Sequence, residues 1–291
     1  SLRGRLIYDT SIPRSVRFYL TRFFDTHCLP GNRGLPRGVG LTAVLAELAM
    51  EKFDQQVRAL PGVYRYFRYS DDIVIFAYEN VSKIEKALEA LLPQGMIFNN
   101  QKCITVDFTS KTPTPKAFEY LGYRLSTTAG IGGKEARPVE VTISSAKVAR
   151  LKTRIILTLK AFVRDHDGNL LIDRLRLLSS NYQINRRGIS AWIRGKRVRS
   201  GVYYNYRRCG RYEGSKFVEQ RPTELVDLDN FTHTLLKSPR SRFHNTLIAH
   251  LTAAQRAKLE TVSFCRGFTS RRMIRIPYKR LAKLKEVWRN A

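Results

Sequence analysis

The sequence is poor in cysteine, histidine and acidic residues, and it contains no long apolar run. Its four cysteines (Cys28, Cys103, Cys209 and Cys265) lie far apart with no CxxC pair. That excludes a zinc ribbon and falls short of a disulfide scaffold, so reduced thiols are expected. Five scattered histidines give no metal-ligand pattern; His166, His233, His244 and His250 read as surface or partly packed side chains. No segment approaches the length of a membrane span, and the opening SLRGRLIYDT lacks the apolar stretch of a signal peptide, so no membrane partner is expected. There is no internal repeat and no low-complexity tract.

What is there describes a globular chain with an unusual charge. The 291 residues are 43% hydrophobic and 26% charged, which rules out a disordered or fibrous protein and suits one large domain or two small ones. Lys and Arg number 52 against 24 Asp and Glu, a net charge of +28. A balance of that size favours a polyanionic partner, because each cation set on a phosphate releases condensed counterions. The charge is uneven. Residues 1–140 hold 19 basic and 14 acidic side chains, residues 141–221 hold 19 and 5, and residues 222–291 hold 14 and 5. The middle segment is therefore the electrostatic footprint.

Periodicity predicts helices over 12–27, with Pro13 in the first turn, and over 42–57, with Thr42 as N-cap. Between them lies a glycine- and proline-rich loop, residues 29–40. Two β-rich runs, 63–69 (VYRYFRY) and 73–78 (IVIFAY), flank Ser70-Asp71-Asp72. A helix is expected over 81–92, short strands over 103–108 and 118–125, and helices over 145–164 and 170–182. The last seventy residues read as helical. Linker signals fall at Thr112–Pro115, at Gly130, Gly132 and Gly133, and around Arg221-Pro222. Helices alternating with short antiparallel strands predict an α+β fold with helical additions.

The Asp71-Asp72 pair is the most specific feature. Adjacent carboxylates between strands can be a solvated hairpin tip. The flanking runs are apolar enough to predict instead a turn on a buried sheet, where two like charges call for a cation, and hard oxygen ligands suit Mg²⁺. Tyr69-Ser70-Asp71-Asp72 resembles the YxDD box of reverse transcriptases, and other motifs follow in the family's order. Upstream, Gly34-Leu35-Pro36-Arg37-Gly38-Val39-Gly40-Leu41-Thr42 resembles the family's glycine-rich loop entering a helix, with LPRG where LPQG is usual. Downstream, Phe98-Asn99-Asn100-Gln101-Lys102 resembles the segment whose lysine lies near the incoming triphosphate. Phe118-Glu119-Tyr120-Leu121-Gly122-Tyr123 resembles the primer-grip hairpin.

The resemblance implies a right-hand polymerase: a helical segment over 1–31, a palm over 32–140, a basic α-helical thumb over 141–221 and a helical extension over 222–291. It implies an RNA-directed DNA polymerase using dNTPs, a DNA primer, an RNA template and two Mg²⁺ ions. Asp71 and Asp72 would hold the metals, and Lys102 would neutralise or protonate the leaving pyrophosphate. Pro36, Arg37, Gly38, Tyr69 and Ser70 would contact nucleotide or template; Tyr120, Leu121, Gly122 and Tyr123 would hold the primer. Each has a plainer alternative: a solvated lysine for Lys102, a surface ion pair for Arg37, core packing for Phe118, Tyr120 and Tyr123. In this family a further aspartate, in a pattern such as D-x-x-x-F-[FY]-x-S-I, completes the metal site. No such pattern occurs, and Asp9 lies too close to Gly34 to supply it. Residue 1 is expected to start just beyond that motif, with the fingers and first catalytic aspartate outside the sequence.

In the expected thumb, Lys147, Arg150, Lys152, Arg154, Lys160 and Arg164 stud a helix whose apolar positions include Val148, Leu151, Ile155 and Leu159, a pattern suited to the phosphates of a duplex. Beyond it, Arg194–Arg199 and Tyr203, Tyr204 and Tyr206 mix arginine with tyrosine. Those tyrosines either stack on unpaired bases or form a strand packed on the thumb. The combination of LPRG, YSDD and a short basic thumb most resembles bacterial antiphage defence-associated reverse transcriptases, with retron enzymes as near neighbours. That implies a cytoplasmic protein working with a non-coding RNA and a second defence protein or another copy of itself. The alternative function is a non-catalytic scaffold that binds RNA.

Overall fold

The computed structural model describes residues 2–27, 34–36, 39–78, 81–108, 116–127, 138–184 and 198–289. The expected contacts of Arg37 and Gly38, the linkers at Thr112–Pro115 and at Gly130, Gly132 and Gly133, and most of the Arg194–Arg199 run lie outside them. The chain divides into two compact units, Ser1–Thr105 and Val106–Ala291. Helices and sheets in both make the protein α+β.

The first unit packs α1 (Leu2–Ile7), α2 (Arg14–His27) and α3 (Gly40–Arg58) around Leu6, Leu20, Phe24 and Leu45. A hairpin follows, β1 (Val63–Tyr69) and β2 (Asp72–Ala77), and then α4 (Val81–Leu91). One face of the hairpin closes on α3 through Met50, Phe53, Val57 and Tyr66, with Leu88, Leu91 and Phe98 at the margin. Helix α3 begins at Gly40, so Thr42 sits inside its first turn rather than capping it. Its N–H donates to the Val39 carbonyl, and its own hydroxyl is buried without a partner.

The second unit is built on a five-stranded antiparallel sheet. Its strands are β3 (Lys116–Tyr120), β4 (Tyr123–Thr127) and β5 (Val139–Ile143), joined after a long insertion by β8 (Gly210–Glu213) and β9 (Lys216–Glu219), in that order across the sheet. The insertion holds α5 (Ser145–Asp165), α6 (Gly168–Ser179), β6 (Asn181–Ile184), β7 (Val198–Gly201) and α7 (Val202–Tyr206). The sheet thus takes strands from both sides of residue 140. Helices α8 (Glu224–Lys237), α9 (His244–His250), α10 (Ala253–Glu260), α11 (Phe264–Thr269) and α12 (Tyr278–Lys285) complete the unit, with β10 (Met273–Arg275) pairing parallel to β6. One core runs through it, from Ile155 and Leu159 on α5 and Leu171 and Leu175 on α6 to Phe264 and Leu284.

Side-chain caps mark the helix starts: Ser144 for α5, Asp167 for α6, and a reciprocal Thr252–Gln255 capping box for α10. Asn181, wholly buried, ties three elements together. Its Nδ2 donates to the Gly267 and Arg272 carbonyls at 2.9 and 3.2 Å, and its Oδ1 accepts from the Tyr203 N–H at 2.8 Å.

Three local expectations are corrected. Residues 103–108 form no strand; Ile104 is 73% exposed, so the β-favouring side chains there find no partner to pair with. The run 118–125 is two strands, broken by a turn at Leu121-Gly122. Tyr203, Tyr204 and Tyr206 lie on a short helix, with Tyr206 in the core and Tyr203 edge-on to Phe268, rather than on a strand. No described helix is long and apolar enough to cross a membrane.

Candidate functional site

The hairpin carrying the paired aspartates is short and tight. Tyr69 pairs with Asp72, leaving Ser70 and Asp71 as a two-residue turn. Ser70 has φ +57° while Asp71 stays out of the left-handed region, the pattern of a type II′ turn. Strand alternation sorts the flanks. Tyr66, Ile73 and Ile75 face α3, whereas Phe67, Tyr69, Val74 and Phe76 share the outer face with Asp72.

That outer face is open, which corrects the expectation of a buried turn. Tyr69 is 68% and Phe67 52% exposed, and Asp71 and Asp72 are exposed as well. The apolar composition of the runs reflects one packed face and one bare face, with Phe67 and Phe76 edge-on across the bare one. Among the described residues no hydrogen bond or ion pair engages either carboxylate, and no group of three His, Cys, Asp or Glu side chains comes together. The pair therefore presents hard, unpaired oxygen donors to solvent. That donor set fits Mg²⁺, which binds through one or two carboxylates and takes its remaining ligands from water and substrate phosphates.

What fixes the turn is Arg68, a residue the motif reading passed over. Its side chain is 6% exposed, and its guanidinium spends all five N–H donors. Nε and Nη2 grip Asp54 at 2.7 and 2.6 Å, Nη1 and Nη2 grip Glu47 at 3.1 and 2.7 Å, and Nη1 also donates to the Ser70 carbonyl at 3.0 Å. Asp54 also accepts from the Tyr66 hydroxyl at 2.6 Å. Burial alone would raise the Asp54 carboxyl; the hydrogen bonds from Arg68 and Tyr66 outweigh it and hold the group below its ordinary range. Burial and Asp54 together push the Tyr66 hydroxyl up. Helix α3 thus dictates where the Ser70-Asp71 turn sits. The signal was in the sequence only as an arginine in a strand that otherwise faces a core.

The other first-unit candidates lie apart from this clamp. Pro36 is partly buried, next to Leu35, which packs on the α1–α2–α3 core. Gly34 has φ +88°, a conformation that favours glycine. Lys102 closes a turn, its N–H donating to the Asn99 carbonyl at 2.8 Å, and its side chain is exposed.

In the second unit the β3–β4 turn is held as tightly. Leu121 and Gly122 both have positive φ, +51° and +84°, the type I′ geometry of two-residue hairpins. The Gly122 carbonyl accepts from the Ser144 N–H at 3.1 Å, while Tyr123 donates its hydroxyl to the Asn205 carbonyl at 2.6 Å. Phe118 packs edge-on to Phe108, and Tyr120 stands opposite Tyr123. The aliphatic stem of Lys147 crosses Gly122, where a Cβ would lie 2.6 Å from its Cε. Lys147, Arg150 and Arg154, expected as a phosphate-binding face, line one cleft with Lys285 and Arg289. Arg164 instead pairs with Asp165, and Lys152 lies over the Phe231 ring.

No curated protein and no solved structure matches the chain. Residues 7–125, which span the first unit's hairpin with its Tyr69–Asp72 turn and run into β4, match the family model for reverse transcriptase (RNA-dependent DNA polymerase).

Proposed function

We propose that the protein is an RNA-directed DNA polymerase whose catalytic carboxylates are Asp71 and Asp72. The observation that carries this is the pairing of two exposed, unpartnered aspartates on a turn clamped by Arg68, inside the segment that matches the reverse transcriptase model. In the reaction, a primer 3′-hydroxyl attacks the α-phosphorus of a dNTP and pyrophosphate leaves. Magnesium held by Asp71, with Asp72 in support, would supply charge neutralisation on the attacking and leaving oxygens. The protein's own share is positioning and electrostatics. Tyr69 and Ser70 border the carboxylates, and Pro36, Arg37 and Gly38 belong to the loop assigned to nucleotide or template. Lys102 is the cation assigned to the leaving pyrophosphate, and Tyr120, Leu121, Gly122 and Tyr123 form the hairpin assigned to the primer.

The charge of +28 supports a nucleic-acid template and product. The LPRG and YSDD motifs with a compact basic segment support a role like that of antiphage defence reverse transcriptases, using a non-coding RNA in the bacterial cytoplasm. A second reading, an RNA-binding scaffold without catalysis, is favoured by one observation: no third carboxylate joins Asp71 and Asp72 among the described residues. Labelled dNTP incorporation on a primed RNA template separates the two. The Asp71→Asn, Asp72→Asn double variant should fall to background while still binding RNA. Equal incorporation by variant and wild type would end the polymerase reading.

A further inference from the structure

The second unit contains a cleft of about 400 Å³ between α5, α6, α7 and the C-terminal turn, within the size range of small-ligand sites. Five cations line it, Lys147, Arg150, Arg154, Lys285 and Arg289, and among the described residues no carboxylate does. None of the five makes an ion pair with an acidic residue among the described residues. Arg154 is the most exacting of them. It is half-buried against the Trp288 ring, and its Nε is buried with no hydrogen-bond partner. Burial, and then the neighbouring Arg150, lower its pKa, the signature of a cation short of a counter-charge. Trp288 is itself committed, its indole N–H donating to the Arg154 carbonyl and the Thr158 hydroxyl, both at 3.1 Å. The aromatic wall is therefore fixed in place.

Gathering five cations around one cleft gains nothing by itself: Arg150, Lys285 and Arg289 are exposed but repel one another, and the half-buried Arg154 also loses hydration. The arrangement is stable in company with an anion of several charges. Two sides of the cleft narrow the choice. One side carries Asn205, whose carbonyl accepts from the Tyr123 hydroxyl, and Lys147, whose stem crosses Gly122 of the β3–β4 turn. The far wall is apolar, with Leu177, Leu178 and Val202. A cleft of about 400 Å³ has room for one nucleotide and not for a duplex.

We propose that this cleft is a binding site for a terminally phosphorylated nucleotide, either free or at the 5′ end of a strand, with the phosphate on the Arg150–Arg154–Lys285 cations and the sugar and base against the apolar wall. The site is built wholly from residues of the second unit. It does not depend on Asp71 and Asp72 or on the polymerase reading.

The full chain is tested in EDTA, which removes any contribution from a metal. Two probe pairs are titrated: a short single-stranded RNA with a 5′-phosphate or a 5′-hydroxyl, and a nucleoside triphosphate or the matching nucleoside. Phosphate-dependent binding of about tenfold or more is expected in at least one pair. The pair that shows it identifies the source, strand end or free nucleotide. The Arg150→Gln, Lys285→Gln double variant, changed only at exposed side chains, should abolish that difference at an unchanged melting temperature. Arg154→Lys, which keeps the charge and loses the fork, should weaken binding without abolishing it. The Asp71→Asn, Asp72→Asn variant should bind as wild type, which separates this site from the catalytic proposal. If neither pair shows phosphate dependence, or the Arg150, Lys285 variant retains it, the site does not exist.

Discussion

Arg68 holds the Ser70 carbonyl at 3.0 Å with the same Nη1 that grips Glu47, so one side chain on β1 couples helix α3 to the turn that presents Asp71. The two carboxylates that brace it differ in worth. Asp54 is 15% exposed and Glu47 60% exposed. A solvent-facing partner contributes below about 1 kcal/mol, whereas removing one member of a buried pair costs about 3 kcal/mol through the charge left behind.

Arg68→Met should accordingly destabilise the first unit by about 3 kcal/mol. Glu47→Gln should cost under about 1 kcal/mol. The Arg68→Met, Asp54→Leu pair should recover part of the loss, because no lone charge remains. Arg68→Lys keeps a cation without the planar fork, so it should retain most of the stability and yet lower incorporation, since the bond to Ser70 is given up. Denaturant unfolding and dNTP incorporation measured side by side check this. Unchanged incorporation in a folded Arg68→Lys protein would leave the clamp a purely structural device.

How much of this was legible in the sequence depends on the range of the interaction. The hairpin at 63–69 and 72–77, α3 and α5 emerge from local signals: β-branched and aromatic runs, and apolar residues at helical spacing. The Arg68 clamp did not, because its partners lie 14 and 21 positions earlier and nothing local marks them as partners. The exposure of the Asp71-Asp72 turn was misjudged for a related reason. Composition cannot tell a strand packed on both faces from one packed on one, and the pairing of Phe67 with Val74 on the outer face is settled only by register. The five-stranded sheet was missed as well, since β8 and β9 are four residues each and reach β5 across the long insertion after Ile143. The unpaired cations of the cleft were half legible: Lys147, Arg150 and Arg154 stood out on α5, while Lys285 and Arg289 come from the far end of the chain.

The Leu121-Gly122 turn gives a test in which the two positions move in opposite directions. Gly122→Ala places a side chain at φ +84° and should cost about 1–2 kcal/mol. The Lys147 stem it would meet is flexible, so crowding adds little. Leu121→Asn puts a residue tolerant of φ +51° where leucine is strained, and should stabilise the second unit by up to about 1 kcal/mol. Thermal melting reads both. If Leu121 contacts the primer, the stabilised Asn variant should extend primers less efficiently than wild type.

Asn181→Ala should be among the most damaging single changes in the second unit. It deletes one buried and two part-buried hydrogen bonds that join β6 to α11, Arg272 and α7, and about 3 kcal/mol is expected from the groups left unpaired. Asn181→Asp keeps the acceptor for Tyr203 but loses both donors and adds a buried charge, so it should be no better. Denaturant unfolding with equal slopes for wild type and variants confirms that the loss is in stability.

The thiols should separate by pH. Burial pushes Cys209 up to about 12, and burial with the hydrogen bond to Asp229 pushes Cys265 up to about 11, while Cys103 is exposed. A raised thiol pKa keeps the unreactive protonated form through neutral pH, with thiolate rising tenfold per pH unit until the pKa is reached. Peptide-resolved alkylation at pH 8 should therefore modify Cys103 while sparing Cys209 and Cys265. Cys265 should begin to react before Cys209 as pH rises in the folded protein. Equal labelling of Cys103 and Cys209 at pH 8 would show that Cys209 is not buried as described.

The salt dependence of RNA binding tests the charge argument as a whole. Each phosphate contacted on a single strand contributes about 0.7 to the slope of log affinity against log salt, and each on a duplex about 0.9. Lys147 and Arg150 engage no carboxylate among the described residues, so their cations are free to meet phosphate. Lys147→Gln with Arg150→Gln should reduce the slope by about 1.4 on single strands, with affinity lost equally for unrelated sequences. As a control, Arg164→Gln should change neither, because Arg164 is already paired with Asp165. Should the double variant keep the wild-type slope, the basic face of α5 is a solvated surface, and the excess charge of the middle segment meets nucleic acid elsewhere.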